Sequence, residues 1–113
     1  MLAGGDMLMD VNLVYMTAGS VEEARTIGKV LVTEQLAACV NIVDGMNSIY
    51  LWDNELQEDR EVILIAKTTR NRVSNLTQRV KSIHSYDCPC ILSLPVSGGN
   101  SEFLDWIAQS TAR

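Results

Sequence analysis

Hydrophobic positions along this chain switch between unbroken runs and three-to-four-residue spacing, and each switch marks an element. Val11 to Thr17 (VNLVYMT) is apolar and β-branched and ends at Gly19–Ser20, which predicts a buried strand. Ser20 and Glu23 then form a capping-box pattern. Ala24, Ile27 and Leu31 share one helical face, with Val30 beside them, so a helix is expected to about Glu34 or Gln35. Cys39 to Trp52 reads as a long extended segment, bent or bulged at Asp44–Gly45. Asp53–Asn54 suits a turn between antiparallel strands, and the next strand contains Glu61 to Thr69. Its centre, VILIA (Val62 to Ala66), is apolar at consecutive positions, which predicts cover on both faces. Val73, Leu76, Val80 and Ile83 give Arg70 to His84 helical spacing. Ser85 to Pro89 is a loop, Cys90 to Val96 a last strand, and Gly98–Gly99 a turn. Asn100 can cap a final helix whose apolar surface is Phe103, Leu104, Trp106 and Ile107.

This order, βαββαβ plus a C-terminal helix, predicts an α+β fold of the ferredoxin-like split β-α-β kind. Right-handed crossovers place the two connecting helices on one face of an antiparallel sheet. The other face is then bare, although VILIA asks for cover there. The expectation is self-association through the open sheet face or the long hairpin.

Length changes this picture little: 113 residues make one domain, expected over 11–113, behind a flexible tail at 1–10 containing Gly4 and Gly5. The net charge of −5 supplies no general basic footprint for nucleic acid. No apolar run is long enough for a membrane span, and the N-terminal residues do not read as a signal peptide. An odd count of three cysteines is no disulfide framework, so a reducing, cytoplasmic setting is expected.

Candidate chemistry concentrates in HSYDCPC, His84 to Cys90, which holds the only histidine and two of the cysteines. Imidazole and thiolate are good ligands for copper and zinc, and Cys88 and Cys90 face the same way if the segment is extended. The same residues also read as a helix-terminal histidine at the negative end of the helix dipole and as packing cysteines. Lys67, Tyr86 and Trp52 read as packing residues with one polar end. Asp53, Glu55, Glu58, Asp59 and Glu61 make the hairpin acidic, which protects a sheet edge and could weakly gather hard cations. No phosphate loop, nucleophile elbow or zinc-hydrolase helix is present, so no enzyme is expected.

EQLAACVNI (Glu34 to Ile42), SIYLWDNEL (Ser48 to Leu56), KTT (Lys67 to Thr69), HSYDCP (His84 to Pro89), LPV and LDWI, in this order, resemble the CutA divalent-cation tolerance family from about Val11 to Trp106. The resemblance implies a homotrimer, an architecture like that of the PII signalling proteins, and copper binding linked to metal tolerance. It implies copper, zinc or another divalent cation as a non-obligatory ligand. Some members carry cysteine where Met16 stands and a second histidine where Ile83 stands. Ser85 and Cys90 replace a common proline and glutamate. The implied metal site, His84 with Cys90 and Met16, is therefore softer than usual and is expected to favour cuprous copper or zinc. The alternative implied by PII-like architecture is a small-molecule sensor or assembly scaffold, with its ligand near Lys67, Tyr86 and Trp52.

Overall fold

The computed structural model describes residues 10–112. Strands β1 (Val11–Ala18), β2 (Cys39–Trp52), β3 (Glu55–Thr69) and β4 (Ile91–Pro95) form one antiparallel sheet in the order β2-β3-β1-β4. Helices α1 (Val21–Thr33) and α2 (Val73–Ile83) are the crossovers, and α3 (Ser101–Ser110) follows β4. This is the expected ferredoxin-like arrangement. Of the tail expected at 1–10, residues 1–9 lie outside the described residues. Asp10 is held: its carbonyl accepts from the Arg70 amide at 2.9 Å and its carboxylate meets the Arg70 guanidinium at 3.0 Å.

Alternate residues of β1 and β3 build the core. Val14, Met16 and Ala18 stand opposite Ala66, Leu64 and Val62, and all are buried beneath α1 and α2. Ala24, Ile27 and Leu31 of α1 and Leu76 and Val80 of α2 complete that cluster. The expected helical faces are therefore the ones that pack. α1 begins as its capping pattern predicts, with the Glu23 amide donating to Ser20 Oγ at 3.1 Å. At the other end of the same layer, Thr68 Oγ1 donates to the Leu36 carbonyl at 2.7 Å, which satisfies a fully buried hydroxyl.

Two expectations are corrected and a third is extended. The open face is not bare throughout, because α3 covers one end of it: Val11 packs with Leu104 and Ile107, and Phe103 lies over the Lys67 ammonium. Elsewhere Ile63 and Ile65 are only partly covered, so VILIA is sealed on one face within a single chain. The second helix starts at Val73, after a 3₁₀ turn at Arg70–Arg72. Strand β3 contains Glu61 to Thr69 as expected and extends six residues further back, to Glu55, because the charged stretch ELQEDR is held by pairing with β2.

The β2–β3 ribbon carries the molecule to 54 × 25 × 21 Å. Its register shifts between Val43 and Met46, where Gly45 has φ +85, as the Asp44–Gly45 pair predicts. Asp53 and Asn54 turn the ribbon with φ of 51 and 64, values that suit a two-residue hairpin loop.

Candidate functional site

The last turn of α2 delivers His84 to the end of β1. Its side chain is 1% exposed. Nε2 lies 2.8 Å from the Thr17 carbonyl, and Nδ1 lies 3.0 Å from the Tyr86 amide nitrogen. A carbonyl only accepts and an amide N–H only donates, so the ring is neutral with its proton on Nε2. Both nitrogens are thereby engaged with backbone. The Glu23 carboxylate, 3.7 Å from Nδ1, accepts from the Ser85 amide at 2.7 Å, Ser85 Oγ at 3.0 Å and the Gly19 amide at 3.4 Å. Burial pushes the Glu23 carboxyl up, but the hydrogen bonds from Ser85 and Gly19 together outweigh it and hold the group below its usual 4.5.

A second polar group adjoins the first. Tyr86 OH donates to Glu61 Oε2 at 3.0 Å, and Ser48 Oγ donates to Glu61 Oε1 at 2.6 Å. Tyr50 OH pairs with Asp59 on the same ribbon. Burial, with the hydrogen bond to Glu61 next, pushes the Tyr86 phenol up to about 12. Cys90 precedes β4 and is partly buried. Burial first, then the Glu61 charge, keeps its thiol above 9.0. A metal bound there must displace a proton.

Met16 is 1% exposed and stands opposite Leu64 on β3 and Ile91 on β4, on the sheet face covered by helices. Cys90 is the residue next to Ile91, so chain order brings Met16 and Cys90 into one region. Cys88 is exposed in the preceding loop. Among the described residues no three of His, Cys, Asp and Glu are grouped so that they could hold a metal ion.

The three cleft residues lie apart within one chain. Lys67 pairs with Cys39 at the base of the ribbon, and Trp52 pairs with Glu55 at its tip. At about 3.4 Å per residue along β3, base and tip are on the order of 40 Å apart. Tyr86 meets Glu61 between them. Lys67 Nζ donates to Asn41 Oδ1 at 2.6 Å, lies 3.7 Å from Cys39 Sγ, and sits 5.7 Å from the Phe103 ring centre. In the sequence Glu23 stands out only as a capping residue and Glu61 only as one acid among several. Glu23's carboxylate instead reaches the loop after α2, and no spacing rule announces that contact.

The family model for the CutA1 divalent ion tolerance protein matches residues 12–110. The chain is 50% identical over 99 residues to the divalent-cation tolerance protein CutA of Thermus thermophilus, covering 88% of this chain and 96% of that one. A solved Thermus structure superposes with a TM-score of 0.87, covering 89% of this chain and 98% of the other. The structure of the protein described as the periplasmic divalent cation tolerance protein CutA of Archaeoglobus fulgidus is 40% identical, with a TM-score of 0.86 and coverage of 89% and 98%. The match to the chloroplastic CutA 1 of rice is 41% over 99 residues, covering 88% of this chain but 56% of that protein. No helix among the described residues is long and apolar enough to cross a membrane. The chain belongs to the CutA1 divalent ion tolerance family.

Proposed function

We propose that this chain is a cytoplasmic homotrimer that binds copper, zinc or another divalent cation reversibly and contributes to metal ion tolerance. The observation that carries the reading is the match over 12–110 to proteins named for divalent-cation tolerance. Assembly is supported by the partly covered sheet face, where Leu92 and Leu94 are 59% and 50% exposed, and by the ribbon tip, where Leu51, Trp52 and Leu56 are all about 70% exposed. Burying such surface contributes roughly 25 cal/mol per Å². Three free cysteines suit a reducing compartment.

Cys90 is the first metal donor in this reading, because its thiol has no hydrogen-bond partner among the described residues. His84 joins when the Tyr86 amide releases Nδ1, and Met16 would have to turn out of the core. Metal binding is thus coupled to movement of the 85–87 loop. The competing sensor reading needs Lys67, Tyr86 and Trp52 from different copies. The exposed tip position of Trp52 is the feature that favours it.

Calorimetry of the reduced protein with cuprous and zinc ions tests the metal assignment. Cys90→Ser is expected to weaken binding about tenfold. Affinity unchanged in both Cys90→Ser and His84→Gln would reject the site. Sedimentation as a folded single subunit at micromolar concentration would reject the trimer.

A further inference from the structure

A groove of about 350 Å³ runs between α1 and the edge strand β2, lined by Arg25, Gly28, Lys29, Val32, Thr33, Val40 and Ile42. It lies on the helix-covered side of the sheet, away from His84 and Cys90, and no step of the metal reading uses it. Its volume is at the lower end of the range for small-ligand sites. Gly28 shapes its floor: a Cβ placed there would meet the Val40 side chain at 3.4 Å and Ile42 Cδ1 at 3.9 Å. Val32 and Ile42 are 42% and 36% exposed, so the floor is apolar and reachable.

The rim carries the opposite chemistry. Arg25 and Lys29 are one helical turn apart on α1, and both are exposed. Neither has an acidic partner within 4.0 Å among the described residues, although the chain carries a net charge of −5. Like charges at this spacing repel by a few tenths of a kcal/mol on an isolated helix. An anion between them relieves that repulsion. An apolar body attached to the anion covers Val32, Val40 and Ile42. Inorganic phosphate would satisfy the rim and leave the floor wet. A neutral apolar molecule would fill the floor and leave the cations uncompensated.

We infer that the groove between α1 and β2 is a binding site for a small organic anion with an apolar body, of the medium-chain carboxylate class. Two polar heads on the rim and three aliphatic side chains below match that chemistry in sign and in order. The site is independent of the metal reading, because it shares no residue with it.

The test uses the full-length, isotope-labelled protein in its native assembly, followed by amide chemical shifts. Octanoate, octanol and octylammonium are added below their aggregation concentrations. The expected result is saturable shifts at Arg25, Gly28, Lys29, Val40 and Ile42 with octanoate, weaker shifts with octanol and none with octylammonium. Arg25→Gln with Lys29→Gln is expected to weaken octanoate binding about five- to tenfold, from two exposed charge contacts. Gly28→Ala reduces the groove while favouring the helix, and is expected to weaken binding without loss of thermal stability. Equal binding of octylammonium, or no shifts at these residues, would overturn the inference. A change in sedimentation on neutralising Arg25 and Lys29 would also overturn it, since the rim would then serve contact between copies.

Discussion

Val62, Leu64 and Ala66 are at most 3% exposed, whereas Ile63, Ile65 and Lys67, interleaved with them on β3, are only partly covered. The two sets belong to the same strand and differ by one residue of register. What separates them is what lies above: two helices on one side, and on the other only α3 at one end. Polar contacts reinforce the difference. Thr68 reaches the Leu36 carbonyl, His84 reaches Thr17, and Glu23 reaches Ser85, so the helical layer is fastened to the sheet and to its own loops. The open side is mostly apolar and holds Leu13, Tyr15, Leu92 and Leu94 in register across β1 and β4. One face supplies the stability of the subunit. The other, in the proposed assembly, meets a second copy.

The largest expected effect comes from breaking the finished face. Leu64 is fully buried, and Leu64→Ala removes its contacts with Met16 and the helices above. The expected loss is about 2–5 kcal/mol by denaturant unfolding. A loss below about 1 kcal/mol would show that this face is as loosely packed as the other. The second test acts on the open face. Leu92→Ser with Leu94→Ser is expected to leave far-ultraviolet circular dichroism intact while shifting sedimentation toward the single subunit. If the pair leaves assembly unchanged, or unfolds the chain at all concentrations, the two faces are not distinct in role.

Much of this fold was legible because its signals are local. The Ser20 cap, the Asp44–Gly45 irregularity, the Asp53–Asn54 turn and the apolar faces of α1 and α2 each follow from residues a few positions apart. The start of β3 was not legible. ELQEDR has no strand pattern of its own, and only pairing with Met46 to Trp52 keeps it extended. The start of α2 was missed for a related reason: Arg72 at its N-cap makes no capping hydrogen bond, so no side chain marks where the 3₁₀ turn ends. The site was legible as a place more than as a set of contacts. HSYDCPC drew attention through its rare residues, and the chain does bring His84, Tyr86 and Cys90 to one end of the sheet. Spacing cannot reveal that the imidazole is committed to the Thr17 carbonyl and the Tyr86 amide, because those partners are backbone groups, one of them 67 residues away.

The smallest expected effect concerns the polar fastening of the helical face. Glu23 is ionised in the fold at a pH where the unfolded carboxyl already binds a proton, because its value is held below 4.5. Its contribution is therefore fully present above about that pH and is lost as pH falls through the lower folded value. Glu23→Gln keeps a hydrogen-bond acceptor for Ser85 but removes the charge. The expected outcome is a loss of about 1 kcal/mol at neutral pH, discounted for solvent at the α1 terminus, that vanishes in acid. Thermal unfolding of both proteins from neutral pH down through the carboxylate range measures it, and the two curves should converge at the acid end. Tyr86 supplies the alkaline counterpart: its phenol is held up to about 12, so the protonated form is favoured in the fold. That contribution is present below the ordinary phenol value of 10.0 and is lost as pH rises through the folded value. Tyr86→Phe should therefore flatten the alkaline limb and leave the acid limb alone. Loss of the acid limb in Tyr86→Phe would show that the Glu23 and Glu61 contacts act as one network rather than as two fastenings of the same face.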